Sequence, residues 1–285
     1  MIRRWAGALA LAGALMLAAL LLFGWLEAQR APVVVEVTLP MEGLPPGTRL
    51  RLLHITDTHG SRPDMGRARL EAIVAQANAL RPDMMLLTGD YHGGKLLTWP
   101  HMPLKDALEP LAALYAPLGV FASMGNHDQP RWTPLVMRRQ PSPVLLINEH
   151  VDAGPLIVAG VQSSHHGADV RGTVDALPPD RPAIMLIHEG DFLQWREAPA
   201  GRTAGLLVLA GHTHGGQVRL PLLGYPSDWL KVRPVCRKGL CRIRGWRLFV
   251  SAGIGTTVLP LRLGVPPQMA MITLVPPGEE AVIRE

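Results

Sequence analysis

Five short apolar runs of this 285-residue chain end in clusters of Asp, Asn and His. In chain order, the clusters are Asp57–His59, Gly89–Asp90, Gly125–Asp128, His188 and Gly211–His214. Between the first two runs, apolar residues recur at helical spacing, so strand, helix and strand follow one another. That order predicts a parallel strand pair with a crossover helix. Because α/β folds bind ligands at the carboxyl ends of their strands, we expect the clusters to converge on one site.

The number of apolar runs argues against a single open sheet. Runs typical of strands also include APVVVEVTLP, SPVLLINEH, GPLIVAGVQSS, RLFVSAGIG and MAMITLVPP. DALEPLAALYAPLG has a helical pattern, but such patterns do not follow every strand. The sequence therefore predicts an α/β fold of two packed sheets with helices on the outside.

The clusters supply the side chains of a mixed nitrogen and oxygen metal site. The candidate ligands are Asp57, His59, Asp90, Asn126, His188, His212 and His214. Imidazoles combined with carboxylate or amide oxygens suit Mn, Fe, Zn or Ni, with Mn favoured, and do not suit Ca or a structural zinc. So many ligands exceed the need of one ion with open coordination positions. They suit two ions about 3.5 to 4 Å apart that share a carboxylate.

The spacing within two of the motifs supports this interpretation. In an extended segment residues i and i+2 face the same side, so Asp57 with His59, and His212 with His214, are predicted to face one pocket. The neighbouring glycines allow tight turns and a close approach of substrate to the main chain. Each motif alone is more typical of a strand that runs into a turn. Burying all these polar groups without partners would cost several kcal/mol, so the set as a whole indicates a site.

With these motifs in this order, the chain resembles the calcineurin-like metallophosphoesterases, whose signature is DxH, GD, GNHD or GNHE, a separate His, and GHxH. The signature here reads Asp57-Thr58-His59, Gly89-Asp90, Gly125-Asn126-His127-Asp128, His188 and Gly211-His212-Thr213-His214. The resemblance covers about residues 50–252, and the tail is similar to that of a membrane-associated or exported bacterial subgroup. It implies a four-layer α/β/β/α sandwich, in agreement with the number of strands.

The resemblance also implies a role for each motif residue. The ligands of one metal would be Asp57, His59, Asp90 and His214, and those of the other Asp90, Asn126, His188 and His212. Asp90 would bridge the two ions, and a hydroxide between them would be the nucleophile. His127 would stand beside the leaving oxygen as a general acid or charge donor, held in orientation by Asp128.

Two features depart from the family's pattern. Many relatives read GDxxD, whereas this chain has GDYHGG and lacks the second acidic residue. The subgroup tail often carries an Arg before GIG and a Glu after PP, where this chain has Ala252 and Gln268. The first departure affects the surroundings of the metals, and the second predicts altered substrate contacts.

The amino-terminal segment from Trp5 to Leu26 includes no charged or strongly polar side chain. At about 1.5 Å per residue, a helix of this length spans the roughly 30 Å hydrocarbon core of a bilayer. Two arginines precede it, so the positive-inside rule predicts a domain on the extracytoplasmic side of a bacterial inner membrane. We expect a single-pass anchor within residues 1–30 and one phosphoesterase domain over 31–285. A cleaved signal peptide is the alternative, although FGWLEAQRA offers no small-x-small cleavage site.

The charge and the cysteines bear on partners and compartment. The net charge of +5 is spread through the chain, without a basic block, so we expect no nucleic-acid polymer as a partner. The excess favours a mild attraction to anionic lipids or phosphorylated substrates. Cys236 and Cys241 do not make a four-ligand zinc site. A disulfide outside the cytoplasm and two free thiols are both compatible with their spacing.

The implied activity is hydrolysis of a phosphomonoester, phosphodiester or pyrophosphate bond by a dinuclear metal-dependent phosphoesterase. The anchor makes a lipid-linked phosphate, such as a UDP-diacylglucosamine type, one substrate class, and a nucleotide or cell-wall phosphodiester is the alternative. A rival interpretation is a metal-binding scaffold of the same fold without catalysis. A structural zinc protein is a third, which predicts one tightly bound metal and unfolding by chelator.

Overall fold

The computed structural model describes residues 2–96, 98–198, 204–229, 233–278 and 281–284. The helices are α1 (Ile2–Ala28), α2 (Arg67–Ala79), α3 (Leu104–Leu108), α4 (Trp132–Met137), α5 (Val170–Asp175) and α6 (Pro226–Trp229). Short 3-10 helices cover Glu109–Ala113, Gly190–Trp195 and His214–Gly216. The strands are β1 (Val33–Pro40), β2 (Leu50–Ile55), β3 (Met84–Leu87), β4 (Val120–Ala122), β5 (Val144–Leu145), β6 (Glu149–Asp152), β7 (Ile157–Gly160), β8 (Ala183–Leu186), β9 (Leu206–Ala210), β10 (Gly239–Ile243), β11 (Trp246–Val250), β12 (Gln268–Val275) and β13 (Val282–Arg284).

The strands form two sheets, each with a parallel centre. The first sheet has the order β13-β1-β12-β2-β3-β4-β5, in which β2 to β5 run parallel to one another. The second has the order β10-β11-β9-β8-β7-β6, in which β7, β8, β9 and β11 are parallel. The predicted crossover is confirmed, since α2 joins the parallel strands β2 and β3.

Alternating side chains divide the interior into three apolar layers. Leu52 and Leu86 of the first sheet pack with Leu209 of the second in the layer between the sheets. Their chain neighbours face outward, and the outer face of the first sheet is covered by α2 to α4, that of the second by α5 and a 3-10 helix. The architecture is the α/β/β/α sandwich that the sequence predicts.

Two predicted elements are divided in the structure. DALEPLAALYAPLG was predicted as one helix, but α3 ends at Leu108 and a 3-10 helix follows, because Pro110 lacks the N–H that a continuing α-helix needs. SPVLLINEH was predicted as one strand, but it contains β5 and β6, which belong to different sheets. Asn148, with a φ of 53°, turns the chain between them.

The two cysteines are joined. Cys236 and Cys241 form a disulfide at the start of β10, so the structure selects one of the two alternatives that their spacing leaves open. The Cys236 side chain is buried among the apolar residues that cover the outer face of the second sheet, including Trp246. The bridge therefore closes the loop that precedes this edge hairpin.

Helix α1 is docked onto the domain at its carboxyl end. The Gly24 carbonyl accepts from the Arg262 N–H at 2.9 Å, the Glu27 carboxylate accepts from the Gly264 N–H at 2.9 Å, and the Ala28 carbonyl accepts from the Arg69 guanidinium at 2.6 Å. Towards the amino terminus of the helix, the described large apolar side chains are exposed. Among the described residues, Gly7–Ala28 is the one helical stretch long and apolar enough to cross a membrane.

Candidate dinuclear metal centre

The predicted ligands lie together at the carboxyl ends of five strands. Asp57 and His59 follow β2, Asp90 follows β3, Asn126 follows β4, His188 follows β8, and His212 and His214 follow β9. Six of them form two groups, and within each group the donor atoms lie within 4.8 Å of one another. One group is Asp57, His59 and His214, and the other is Asp90, His188 and His212. The convergence expected from strand order is confirmed.

The two groups adjoin at Asp90. The Asp90 Oδ2 atom lies 3.0 Å from His188 Nε2 in its own group and 3.4 Å from His59 Nε2 in the other. Asp57 Oδ1 lies 3.2 Å from His214 Nε2 and 3.8 Å from His188 Nε2. These distances place one carboxylate between the groups and a second within reach of both.

Asn126 and His212 complete the second group on its open side. The Asn126 Oδ1 atom lies 2.9 Å from His212 Nδ1, and the His188 and His212 rings are 5.2 Å apart between centroids. Asp57, Asp90 and His188 are buried, whereas the His212 residue is exposed, so the centre opens to solvent at this edge. A substrate therefore reaches the centre from the His212 side.

The orientation of the ring nitrogens fits divalent cations. The Nε2 atoms of His59 and His214 face each other at 3.1 Å, and His188 Nε2 is buried without a hydrogen-bond partner among the described residues. Burial lowers the pKa of His59 to about 3, and burial also lowers the pKa of His214 well below its ordinary value. Neutral imidazoles with inward-facing nitrogens are the form that binds metal. The residues present therefore fit a pair of metal ions.

The pKa values of the two carboxylates, Asp57 and Asp90, are shifted in opposite directions. Burial raises the pKa of Asp57 to about 6. Burial also acts to raise the pKa of Asp90, but the attraction of His188 and His59 outweighs it, and that pKa lies below its ordinary value. The pKa of His188 is lowered by burial but raised further by Asp90 and Asp57, so it lies well above its ordinary value. His188 is thus a cation beside the Asp90 carboxylate, and a divalent cation bound at these donors would take the place of the His188 proton.

The backbone at five of the seven proposed ligands is left-handed, and the expectation of extended segments was wrong. The φ angles are 54° at Asp57, 44° at His59, 57° at Asp90, 71° at His212 and 51° at His214. Residues with side chains seldom adopt this region, and such conformations cluster at functional sites. The residues of each motif do share one site, but the chain turns at each ligand to bring them there.

Two glycines are required by close approaches to the carboxylates. A Cβ atom at Gly125 would lie 2.2 Å from Asp90 Oδ1, and one at Gly211 would lie 2.2 Å from Asp57 Oδ2. No real Cβ contact is that short, so each glycine is the condition for its carboxylate to hold this position. The glycines of GNHD and GHTH therefore shape the centre.

Hydrogen bonds behind the centre fix the ligands. The His188 Nδ1–H donates to the Thr88 carbonyl at 2.6 Å, and the His59 Nδ1–H donates to the Gly93 carbonyl at 3.0 Å, which leaves each Nε2 to face the carboxylates. The Thr56 hydroxyl donates to Asp57 Oδ2 at 2.8 Å. Partners of this kind hold metal ligands in orientation.

His127 and Asp128 differ in what they contact. The His127 ring is exposed at the mouth of the centre, 5.3 Å from the His59 ring between centroids. The backbone N–H of His127 donates to Asp90 Oδ1 at 2.8 Å. The Asp128 carboxylate accepts from the N–H groups of Asp90, Tyr91 and Gly125 at 2.8 to 2.9 Å. Asp128 thus holds the turn that carries His127 through these backbone N–H groups.

Arg262 is a residue of this region that sequence reasoning missed. Its side chain is fully buried and donates to the carbonyl oxygens of Ala252, Gly253, Gly255 and Val265. Burial lowers the pKa of Arg262 to about 10, so it keeps its charge at neutral pH. A lone arginine in the apolar run LPLRLGV was the signal that could have revealed it.

The two tail positions that depart from the family's pattern are in contact. The Ala252 N–H donates to the Gln268 side-chain oxygen at 3.1 Å. The Arg262 guanidinium lies against the Ala252 carbonyl at 2.8 Å. Ala252 and Gln268, the two positions that depart from the family's pattern, are therefore neighbours in the structure. The Arg262 guanidinium places a positive charge beside them.

A cavity of about 510 Å³ opens beside the centre. Its lining includes His212, His214 and the cation Arg237. The apolar part of the lining, which we call the apolar wall, is Val258, Leu259 and Leu261. The Arg237 guanidinium lies 3.9 Å from the centroid of the Tyr225 ring and pairs with Asp228. The cavity thus joins polar groups near the metal centre to an apolar surface.

The two-sheet fold and the adjoining donor groups are like those of the metal-dependent phosphoesterases. A family model described as calcineurin-like phosphoesterase matches residues 50–216. The chain belongs to this family. The resemblance seen in the motifs is confirmed.

Curated relatives include membrane proteins and bacterial proteins. A Bos taurus transmembrane protein with metallophosphoesterase domain is 30% identical over 219 residues, which is 68% of this chain and 47% of that protein. The Danio rerio protein of the same name is 28% identical, covering 90% of this chain and 60% of that protein. Phosphodiesterase YaeI of Escherichia coli is 29% identical, covering 79% of this chain and 82% of that protein. The chain thus spans about half the length of the two vertebrate relatives.

Proposed function

We propose that this protein is a membrane-anchored phosphoesterase that uses two divalent metal ions, with Mn favoured, to hydrolyse a phosphoric ester. The observation that carries the proposal is the position of Asp90, whose Oδ2 lies within 3.4 Å of one ring nitrogen in each donor group. A carboxylate shared by two donor groups is what two adjacent ions require. Phosphomonoesters, phosphodiesters and pyrophosphates all suit such a site, and the name of the E. coli relative favours a phosphodiester.

The ligand roles follow from the two groups. The ligands of one ion are proposed to be Asp57, His59, Asp90 and His214, and those of the other Asp90, Asn126, His188 and His212. Two ions bound there would supply Lewis-acid polarisation of the phosphoryl oxygens and a lower pKa for water. The neutral imidazoles and the shared carboxylate support this assignment.

The remaining chemistry belongs to His127. Its ring lies at the exposed mouth, in position to hold a proton for the leaving oxygen. The backbone N–H of His127 is held by Asp90. Asp128 supports His127 indirectly, because it holds the turn from Gly125 to the histidine in place. We therefore assign His127 as the proton donor and Asp128 as a positioning residue.

The assay that tests the proposal is hydrolysis of bis-p-nitrophenyl phosphate by the full chain in detergent after reconstitution with Mn²⁺. Hydrolysis is expected to require the metal, and His127→Ala is expected to lower the rate about 10²-fold, the lower end for loss of a general acid. His127→Ala should still bind metal, since the proposed ligands are untouched. A fully active variant would remove His127 from the mechanism.

The same assay separates the rival interpretations. A scaffold binds two ions and cleaves none of a panel of nucleotides, phospholipids and sugar-nucleotide lipids. A structural zinc protein binds one ion and unfolds when the ion is chelated. The enzyme is supported by the fact that every position of the family's signature is filled by a residue of the expected type.

We place the anchor within residues 1–30 and the catalytic domain over 31–285, on the extracytoplasmic side of a bacterial inner membrane. The contacts of Gly24, Glu27 and Ala28 with the domain support an anchor that stays attached. Alkaline phosphatase fused to the carboxyl end is expected to be active, because it folds only after export. An inactive fusion would contradict this orientation.

The anchor also bears on the substrate. A site held at a bilayer favours a lipid-linked phosphate, such as a UDP-diacylglucosamine type, over a soluble nucleotide. The apolar wall beside the centre, formed by Val258, Leu259 and Leu261, supports the same substrate class. The substrate panel decides between them, because the full chain in detergent, assayed with nucleotides and with lipids, gives rates that can be compared directly.

A further inference from the structure

Three loops near the metal centre present exposed apolar side chains that the catalytic chemistry does not explain. They are Leu96, Leu222, Leu223, Val258 and Leu259, which we call the apolar rim. Leu222 is fully exposed, and the other four are between 49% and 72% exposed. Large apolar side chains grouped on a surface mark an interaction site.

The loops of the apolar rim are bonded to one another. The Leu96 N–H donates to the Val258 carbonyl at 3.1 Å, and the Val258 N–H donates to the Gly94 carbonyl at 2.8 Å. The Gln217 side chain donates to the Leu259 carbonyl at 3.2 Å. The rim is therefore one built surface and not a set of separate loop tips.

The turn that carries Leu222 and Leu223 is bonded to the same structure. The Arg219 N–H donates to the Leu263 carbonyl at 2.7 Å, and the Leu263 N–H donates to the Gln217 carbonyl at 3.0 Å. The Leu220 N–H and carbonyl both pair with Gly224 across the turn. The two exposed leucines thus project from a closed turn next to the other rim loops.

Helix α1 contacts the segment that directly follows the rim residues Val258 and Leu259. The Arg262 N–H donates to the Gly24 carbonyl, and a Cβ atom at Gly24 would lie 3.4 Å from the Leu261 side chain. Gly24 lies four residues before the end of the apolar span at Ala28, or about 6 Å along the helix axis. A segment bonded to the helix at this level lies at the edge of the hydrocarbon when the helix spans a bilayer.

The rim also forms one wall of the cavity at the centre. Val258 and Leu259 belong both to the rim and to the cavity lining, and His212 and His214 line the same cavity. Arg233 and Arg237 are among the other lining residues, and their charge suits a phosphate. The cavity beside the metal centre and the apolar rim therefore adjoin at Val258 and Leu259.

We propose that the apolar rim inserts into the lipid interface beside α1, so that the site opening lies at the level of the lipid headgroups. The partner is the bilayer itself, because the chain that continues from Val258 and Leu259 is bonded at Arg262 to the end of the membrane-spanning helix. A lipid phosphate then enters the cavity with its head at the centre and its chains still in the membrane. This last step rests on the proposed function, whereas the insertion of the rim does not.

Site-directed fluorescence tests the insertion. Leu222→Cys in the full chain is labelled with a polarity-sensitive fluorophore and reconstituted in nanodiscs of phosphatidylethanolamine and phosphatidylglycerol. Tyr115→Cys is the matched control, because Tyr115 is 71% exposed and lies near the opposite, amino-terminal end of β4. The Leu222 label is expected to shift to the blue and to be quenched at least twofold by lipids with a nitroxide near the headgroup.

Two outcomes overturn the proposal. Equal emission and quenching of the Leu222 and Tyr115 labels would place the rim in water. A blue shift at Leu222 without quenching by the nitroxide lipids would show that a second copy of the chain or another protein covers the rim.

A paired variant links the rim to catalysis. Leu222→Asp with Leu223→Asp is expected to lower hydrolysis of a lipid phosphodiester in vesicles at least tenfold and to leave hydrolysis of bis-p-nitrophenyl phosphate unchanged. Equal rates on the vesicle substrate would overturn the role of the rim in substrate delivery. If neither substrate is cleaved by the parent chain while the labels behave as expected, the proposed function fails and the insertion stands.

Discussion

Asp90→Asn is expected to lower the rate of phosphoester hydrolysis about 10³-fold. The carboxylate of Asp90 lies between the two donor groups, and asparagine offers one neutral oxygen where two ions require a shared negative charge. Loss of one preorganised electrostatic contact in an active site typically costs 10² to 10³ in rate. Asp90 also accepts a hydrogen bond from the backbone N–H of His127, so the substitution also weakens the contact that positions the proposed proton donor.

The measurement for Asp90→Asn is kcat/KM for bis-p-nitrophenyl phosphate at saturating Mn²⁺. Asp175→Asn removes a carboxylate of the same type from the surface, where 67% of the side chain is exposed, and should leave the rate unchanged. A tenfold or smaller loss in Asp90→Asn would mean that the two donor groups do not depend on a shared carboxylate.

Arg262→Met is expected to destabilise the fold by about 3 to 5 kcal/mol, the cost of removing one partner from a buried charged network. Methionine fills a similar volume but leaves the carbonyl oxygens of Ala252, Gly253 and Gly255 without their donor. For a chain of this size the loss corresponds to a fall in Tm of roughly 10 °C. The loop that holds α1 and the apolar wall should loosen first, since Arg262 lies within it.

Thermal unfolding of the full chain in detergent measures the effect of Arg262→Met. Arg139→Met, at an exposed position, is the matched control and should change Tm little. Arg262→Lys should fall between the parent and Arg262→Met, because lysine keeps the charge but not the fork of donors. Identical Tm values for the parent and Arg262→Met would show that the network does not stabilise this region.

The positions of the proposed ligands along the chain were predictable because each follows a strand pattern and most lie beside a glycine. Each one follows an apolar run within a few residues, and parallel strands bring such ends together whatever the details of the loops. The division of His212 and His214 between the two groups also agrees with the family's pattern. Local pattern therefore carries most of the information on the site.

The local conformation at those ligands was not predictable from periodicity. The positions of the Asp57 and Asp90 carboxylates depend on space left by Gly211 and Gly125, which are distant in sequence. The role of Arg262 and the docking of α1 likewise arise from contacts between residues far apart in the chain. Such features are set by tertiary packing, which a single sequence does not display.

Metal titration of the metal-free full chain tests the dinuclear centre most directly. Mn²⁺ is added stepwise while bound metal is counted by elemental analysis and hydrolysis of bis-p-nitrophenyl phosphate is followed in the same samples. We predict two equivalents bound per chain, with activity that rises as the second equivalent binds. Full activity at one equivalent per chain, or binding that saturates at one, would contradict the account.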